Sequence, residues 1–331
     1  MMRATVPGLA VATLLAVVAT AIGTALPALG GPVAALALGA LAGPLLKGAC
    51  SAARWGPGLG VAAKHVLQAA LVVLGFGLPF TDVVRVAGAT LPVMLGTLLA
   101  ALGGAAVLGP AMRLHPETTL LIGAGTAICG ASAIAAVTSV LRPAQERVAY
   151  AIATIFACNM VAVLAYPVLG RLLGLSGTAF GLWAGTAIND TSSVVAAAGT
   201  FGTAAAAYAV VVKLSRSVMI VPLCVAVRVW RSAAGPTDGP RPGLLRAFPV
   251  FILGFLAASA VAATGVVPDG QQAAISAVST FLISMSLAAI GATLDVGRIR
   301  AAGLRPLAFG GLLGLLVGAT SLGLQALTGQ L

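Results

Sequence analysis

Five polar residues stand in a row inside an apolar stretch of the chain: Asn189, Asp190, Thr191, Ser192 and Ser193, within GTAINDTSSVVAAAGT (185–200). Further on, TAAAAYAVVVKLSRSVMIVPLCVAVRVW (203–230) carries Lys213 and Arg216 near its middle. A cation at the centre of a membrane helix costs about 2.5–3.5 kcal/mol on insertion scales, so a pair without a use is not expected there. Spaced i, i+3, the two share one helix face, which should point into the protein. Two chemistries fit these residue types. One is an internal salt bridge with Asp190 as partner. The other is a cationic site for an anionic substrate, with Asp190 or a coupling cation balancing the charge. A single carboxylate cannot neutralise both cations, which leaves positive charge for a substrate.

The polar run has a near-copy sixty residues upstream. GTAICGASAIAAVTS begins at Gly125 and GTAINDTSSVVAAAG at Gly185; the first four residues are identical and the eighth is Ser in both, Ser132 and Ser192. Each copy interrupts an apolar segment near mid-length, at Cys129-Gly130 and at Asn189-Asp190. Backbone groups cannot go unsatisfied in lipid, so such breaks belong where they are packed in protein or line a wet cavity. Transporters often place substrate at discontinuous helices, whose N-termini present free N–H groups that suit anions. Candidate substrate contacts are therefore Cys129, Gly130, Ser132, Asn189, Thr191, Ser192 and Ser193, with Lys213 and Arg216 as counter-charge. Asp190 would orient Lys213 or carry a coupling cation.

The elements that must position these groups are membrane helices. Of 331 residues, 60% are hydrophobic and 8% charged, and the mean hydropathy is +1.10. Soluble domains average roughly 25% charged residues, so the composition specifies an all-α polytopic membrane protein. Apolar runs divide the chain into eleven segments near 8–28, 31–46, 57–78, 84–108, 118–141, 145–170, 177–199, 203–230, 245–265, 271–294 and 306–328. That makes about ten or eleven transmembrane segments in one transporter domain covering 1–331. The stretch RSAAGPTDGPRPG (231–243) reads as a linker. If all eleven segments cross, thirteen basic residues fall on the side of the N-terminus against three (Arg85, Arg142, Arg147) on the other. Cytoplasmic loops are rich in Lys and Arg, so the N-terminus is expected in the cytoplasm and the C-terminus outside. If 118–141 and 177–199 are re-entrant hairpins instead, the count becomes fourteen against two and the termini keep their places. The first segment resembles a signal peptide but is longer than one, and is expected to be a retained helix.

The same composition excludes other classes. A net charge of +11 is the positive-inside surplus; no basic patch interleaves with aromatics, so nucleic acid is not an expected partner. Cys50, Cys129, Cys158 and Cys224 show no metal-ligand spacing, and His65 and His115 have no metal partners nearby. No cofactor or metal and no enzymatic activity are expected. Glu146 and Arg147 read as a loop pair, His65 as interfacial, and Glu117 after Pro116 as a helix N-terminus. Asp295 in MSLAAIGATLDVGRIR is a second candidate for a charge pair or coupling-ion ligand.

The phrases GTAICGASAIAA (125–136), AYPVLG (165–170), GTAINDTSSVVAAAG (185–199) and VKLSRSVMIVPL (212–223) resemble the YeiH-type sulfate exporter family in order and spacing. The resemblance covers most of the chain beyond about residue 40. It implies a bacterial inner-membrane protein related to the cation/proton antiporter and bile-acid/arsenite transporter superfamily. That superfamily builds two inverted five-helix repeats, each with a discontinuous fourth helix. The scheme gives an extra helix at 8–28, repeat one at about 31–170 and repeat two at about 177–328. The discontinuous helices would be segments five and ten, the latter containing Gly291 and Asp295. In this scheme the Gly125/Gly185 likeness would not reflect repeat symmetry. Family members usually carry His where this chain has Asn189; an amide cannot titrate, so proton coupling through that position is not inherited.

The expected function is a secondary transporter, an exporter by family resemblance, of a small anion such as sulfate, sulfite or a sulfonate, working by alternating access. The alternatives are a Na⁺- or H⁺-coupled cation antiporter with Asp190 and Asp295 as ligands, and a membrane regulatory subunit without transport. A homodimer is compatible with all three.

Overall fold

A chain that must satisfy its backbone without water has only internal hydrogen bonds to use, and among the described residues all the regular structure in the computed structural model is helical. The structure describes residues 2–25, 31–49, 52–233, 250–266, 268–293 and 303–331. Its α-helices are α1 Met2–Ala25, α2 Gly31–Ala49, α3 Ala52–Val61, α4 Leu67–Gly75, α5 Phe80–Ala111, α6 Pro116–Ala127, α7 Ala131–Leu141, α8 Gln145–Leu172, α9 Gly177–Ala187, α10 Thr191–Gly199, α11 Thr203–Ser217, α12 Ile220–Ala233, α13 Val250–Ala263, α14 Gln272–Thr293 and α15 Leu304–Thr328. A π-helical turn, Ala62–Val66, joins α3 to α4. Among the described residues, seven helical stretches are long and apolar enough to cross a bilayer: 5–25, 54–75, 80–111, 145–172, 203–230, 272–293 and 304–328.

The chain forms two compact units, each drawing on separated parts of the sequence. The first gathers Met1–Arg85, Val195–Ala207 and Val250–Asp295. Within it α2 packs on α14 at backbone distance: a Cβ on Gly43 would lie 2.8 Å from the Ala292 carbonyl oxygen, and one on Gly291 2.7 Å from the Ala40 nitrogen. The Gly39–Gly43 spacing thus does what small residues do between membrane helices, and lets two backbones touch.

The second unit gathers Val86–Val194, Tyr208–Pro249 and Val296–Leu331 and holds the candidate site. Segment 118–141 is a hairpin. The end of α6 is closed by the Ile128 N–H on the Ala124 carbonyl (3.1 Å) and the Gly130 N–H on the Gly125 carbonyl (2.8 Å). Gly130 then takes φ 64°, ψ −126°, and the chain reverses. A Cβ on Gly125 would meet the Ile134 side chain at 3.2 Å, although nine residues of continuous helix span about 13 Å. Arg147, in the first turn of α8, pairs with Glu117, in the first turn of α6. The hairpin therefore starts and finishes at one end of α8. This replaces the expected Glu146–Arg147 pair, since adjacent residues on a helix do not face each other; Glu146 accepts a hydrogen bond from the Tyr150 hydroxyl at 2.6 Å instead. Glu117 stands in the first turn as expected, capped by His115.

The second break follows the same logic from the other end. The 28 residues of α8 span about 42 Å, so α9 begins at its far end. The Ile188 N–H closes α9 on the Ala184 carbonyl, and Ile188 is extended. α10 ends at Gly199, and the turn 200–202 leads into α11. The apolar helix 203–230 runs toward the α6–α7 end, because α12 packs on α7 with Val227 in the cluster of Leu121, Val137 and Leu141. The extended Ile188 thus separates α9 from α10, as the break at Cys129-Gly130 separates α6 from α7.

One expectation from the family scheme changes. The second discontinuity lies in segment seven, not segment ten: α14 runs unbroken from Gln272 through Gly291 to Thr293. Its serines bond back to their own helix, Ser284 to the Thr280 carbonyl (2.9 Å) and Ser286 to the Leu282 carbonyl (2.8 Å), so they do not break it. Asp295 lies outside the described residues.

Candidate binding site at the helix breaks

The two GTAI phrases occupy equivalent places. Gly-Thr-Ala forms the last turn of α6 and of α9, and the isoleucine is the C-cap of each. Both glycines sit where a side chain would not fit: a Cβ would lie 3.0 Å from Ile155 at Gly125 and 2.9 Å from the Ala209 carbonyl at Gly185. Such a helix end leaves carbonyl oxygens without intrahelical donors and carries about half a negative charge.

Lys213 answers both ends at once. It is fully buried, and its Nζ donates to the Ile128 carbonyl at 2.6 Å and to the Ile188 carbonyl at 2.8 Å. Arg216, also fully buried, donates through Nη2 to the Thr126 carbonyl at 3.3 Å. The two breaks lie side by side, and a Cβ on Gly130 would lie 3.7 Å from the Asn189 carbonyl.

Asp190 is not hydrogen-bonded to Lys213. Its carboxylate accepts from the Ser192 N–H at 3.1 Å and from the Ser192 hydroxyl, and so caps α10 and offsets the positive end of that helix. The Lys213 ammonium turns instead to main-chain carbonyls, which a reading of side-chain types does not count as partners. Asn189 is buried, and its N–H and that of Asp190 both reach the Asn159 side-chain oxygen, at 3.2 and 3.3 Å. Asn159, in the middle of α8, was not among the expected residues; a lone Asn inside TIFACNMVAV was its only signal. Each buried N–H left without an acceptor costs about 1–3 kcal/mol. Asn159→Leu is therefore expected to lower the melting midpoint in detergent clearly. Thr154→Val on the same helix should change it little, because the buried Thr154 hydroxyl has no partner to lose.

The remaining expected residues divide. The buried Cys129 thiol lies against the Ala133 N–H and the Ser217 hydroxyl. Ser192 is buried, Thr191 and Ser193 are half-buried, and Ser132 is exposed in the first turn of α7. That turn has Gly130 as its N-cap and no side-chain cap. Several buried polar atoms here have no hydrogen-bond partner: Arg216 Nε and Nη1, Asn189 Oδ1, Asn159 Nδ2 and Thr126 Oγ1. Buried polar groups are nearly always paired, so such a concentration marks a place where water or a ligand completes the bonding. No group of His, Cys, Asp and Glu suited to a metal ion occurs among the described residues.

Apolar helices in this number, with polar breaks meeting over buried cations, define a multi-pass membrane protein. The family model for conserved hypothetical protein 698 matches residues 7–310, and the chain belongs to this family, the YeiH-type or UPF0324 membrane proteins. It is 33% identical to a UPF0324 membrane protein of Fusobacterium nucleatum, over 97% of this chain and 98% of the relative. It is 36% identical to one from Clostridium tetani, over 82% and 83% of the two chains. It is also 36% identical to one from Streptococcus pyogenes, over 96% of each.

Proposed function

We propose that the protein is a secondary transporter for a small anion, a sulfur oxyanion or sulfonate, exported across the bacterial inner membrane by alternating access. The observation that carries this reading is Arg216. A wholly buried guanidinium keeps Nε and Nη1 unbonded at the break from which α7 departs without a side-chain cap. A buried cation with free donors at such a break is a site that an oxyanion completes. Asp190 neutralises the N-terminus of α10, which favours α7 as the anion's side. The two cationic side chains outnumber the one carboxylate among the break residues, which suits an anionic substrate. With both broken segments taken as hairpins, fourteen basic residues share the side of the N-terminus, and only Arg85 and Arg171 lie opposite; this favours a cytoplasmic N-terminus and an external C-terminus.

A thermal-shift screen in detergent over sulfate, sulfite, small sulfonates and carboxylates tests the binding step. A true ligand raises the midpoint as its concentration passes Kd. At least one sulfur anion is expected to stabilise the wild type, and the shift is expected to vanish in Arg216→Gln. Equal shifts in both proteins, or stabilisation by sodium with no anion effect, would point away from an anion site.

A further inference from the structure

The breaks also hold a cation of the protein's own. In transporters with discontinuous helices, unwound carbonyls and half-helix C-terminal ends coordinate the coupling Na⁺. Here the equivalent carbonyls are those of Ile128 and Ile188, one from each GTAI phrase, and Lys213 Nζ lies 2.6 and 2.8 Å from them. The side chain is fully buried and comes from a third helix, α11, so the charge is tethered rather than free. An ammonium is a compact point charge with three donors, which suits it to this place better than a planar guanidinium. Arg216 covers the Thr126 carbonyl of the same α6 turn. Asp190, which would be an obvious ligand for a free cation, is turned to Ser192.

We propose that Lys213 is a built-in substitute for a coupling cation: its ammonium occupies a carbonyl-lined monovalent-cation site between the two helix breaks, so that the breaks close on each other without sodium. The proposal goes beyond the anion reading and stands without it, because it concerns what holds the breaks together before any substrate binds. Without the ammonium, two facing helix C-termini would repel each other, and a small hard cation is the natural replacement.

The experiment uses full-length wild type, Lys213→Ala and Lys213→Met, each purified in sodium chloride and exchanged into choline chloride, with no sulfur anion present. Sodium and choline chloride are then titrated against the melting midpoint at matched ionic strength. Wild type is expected to melt at the same temperature in either salt. Lys213→Ala should melt lower in choline and recover with a saturable upward shift as sodium replaces it. Lys213→Met, which fills the same space without charge, should melt low in both. The proposal is overturned if wild type shows a saturable sodium shift, or if Lys213→Ala responds equally to sodium and choline. It is also overturned if sodium rescues Lys213→Met as well as Lys213→Ala, which would put the cation elsewhere. A Lys213→Ala protein that does not fold even in sodium counts against it too, because sodium is expected to take the ammonium's place. Anion flux enters none of these outcomes, so a failure here is separable from a failure of the anion reading.

Discussion

A Gly130→Val protein is expected to melt well below wild type in detergent and to lose transport. Gly130 holds φ 64°, ψ −126°, a combination open to glycine and strained for any residue with a Cβ, at about 1–3 kcal/mol. The new side chain would also begin 3.2 Å from Ile155, and overpacking of this kind costs typically about 1–3 kcal/mol more. The consequence is not confined to stability. The Gly130 N–H closes α6 and its carbonyl opens α7, so relieving the strain means turning the peptides that aim the Ile128 carbonyl at Lys213. Gly174 supplies the control. It also has a positive φ, 65°, but nothing within 4 Å of a Cβ, so Gly174→Ala should cause a smaller drop and leave transport intact. A Gly130→Val protein that melts and transports like wild type would show that the reversal at this tip is not needed.

Arg216 is expected to separate function from stability in the opposite sense. It is fully buried and makes one hydrogen bond, at 3.3 Å, while Nε and Nη1 have none. Replacing a poorly compensated buried charge with an apolar side chain of similar volume is often neutral or stabilising, by about 1–4 kcal/mol. Arg216→Met should therefore melt near wild type or above it, because the charge removed is poorly compensated and the one hydrogen bond given up is long, at 3.3 Å. Anion binding should fall by at least about tenfold, the equivalent of 1.4 kcal/mol, because a charge-assisted contact is lost. Stability held in reserve against function is common at binding sites. If Arg216→Met were strongly destabilised while anion binding persisted, the guanidinium would be a structural strut and the anion would sit elsewhere.

Much of this arrangement was legible in the residues. Seven of the segments drawn from apolar runs coincide with helical stretches long enough to cross a bilayer among the described residues, while 118–141 and 177–199 keep their outer bounds but each hold two short helices. The repeated phrase GTAI marks both breaks, and a Lys–Arg pair in mid-helix marks the group that faces them. What was not legible has physical reasons. Hairpin and crossing have nearly the same composition, and the basic-residue count separates them by a single charge; the Glu117–Arg147 pair, thirty residues apart, decides it for the first segment. The partners of Lys213 are main-chain oxygens, and main-chain atoms carry no residue identity. Asp190 is the one carboxylate among the break residues and so invites pairing with Lys213, yet capping α10 uses it locally. Asn159 is one polar residue in a long apolar helix, and only the geometry shows that it holds two N–H groups at the second break.

The measurement that bears most directly on the central claim is flux in proteoliposomes. Wild type, Lys213→Gln and Arg216→Gln would be reconstituted in folded form and offered labelled sulfate, sulfite and a small sulfonate across a sealed bilayer. The account predicts that wild type moves at least one of these anions and that both variants lose most of that flux. Variants that carry all three anions as fast as wild type would contradict it.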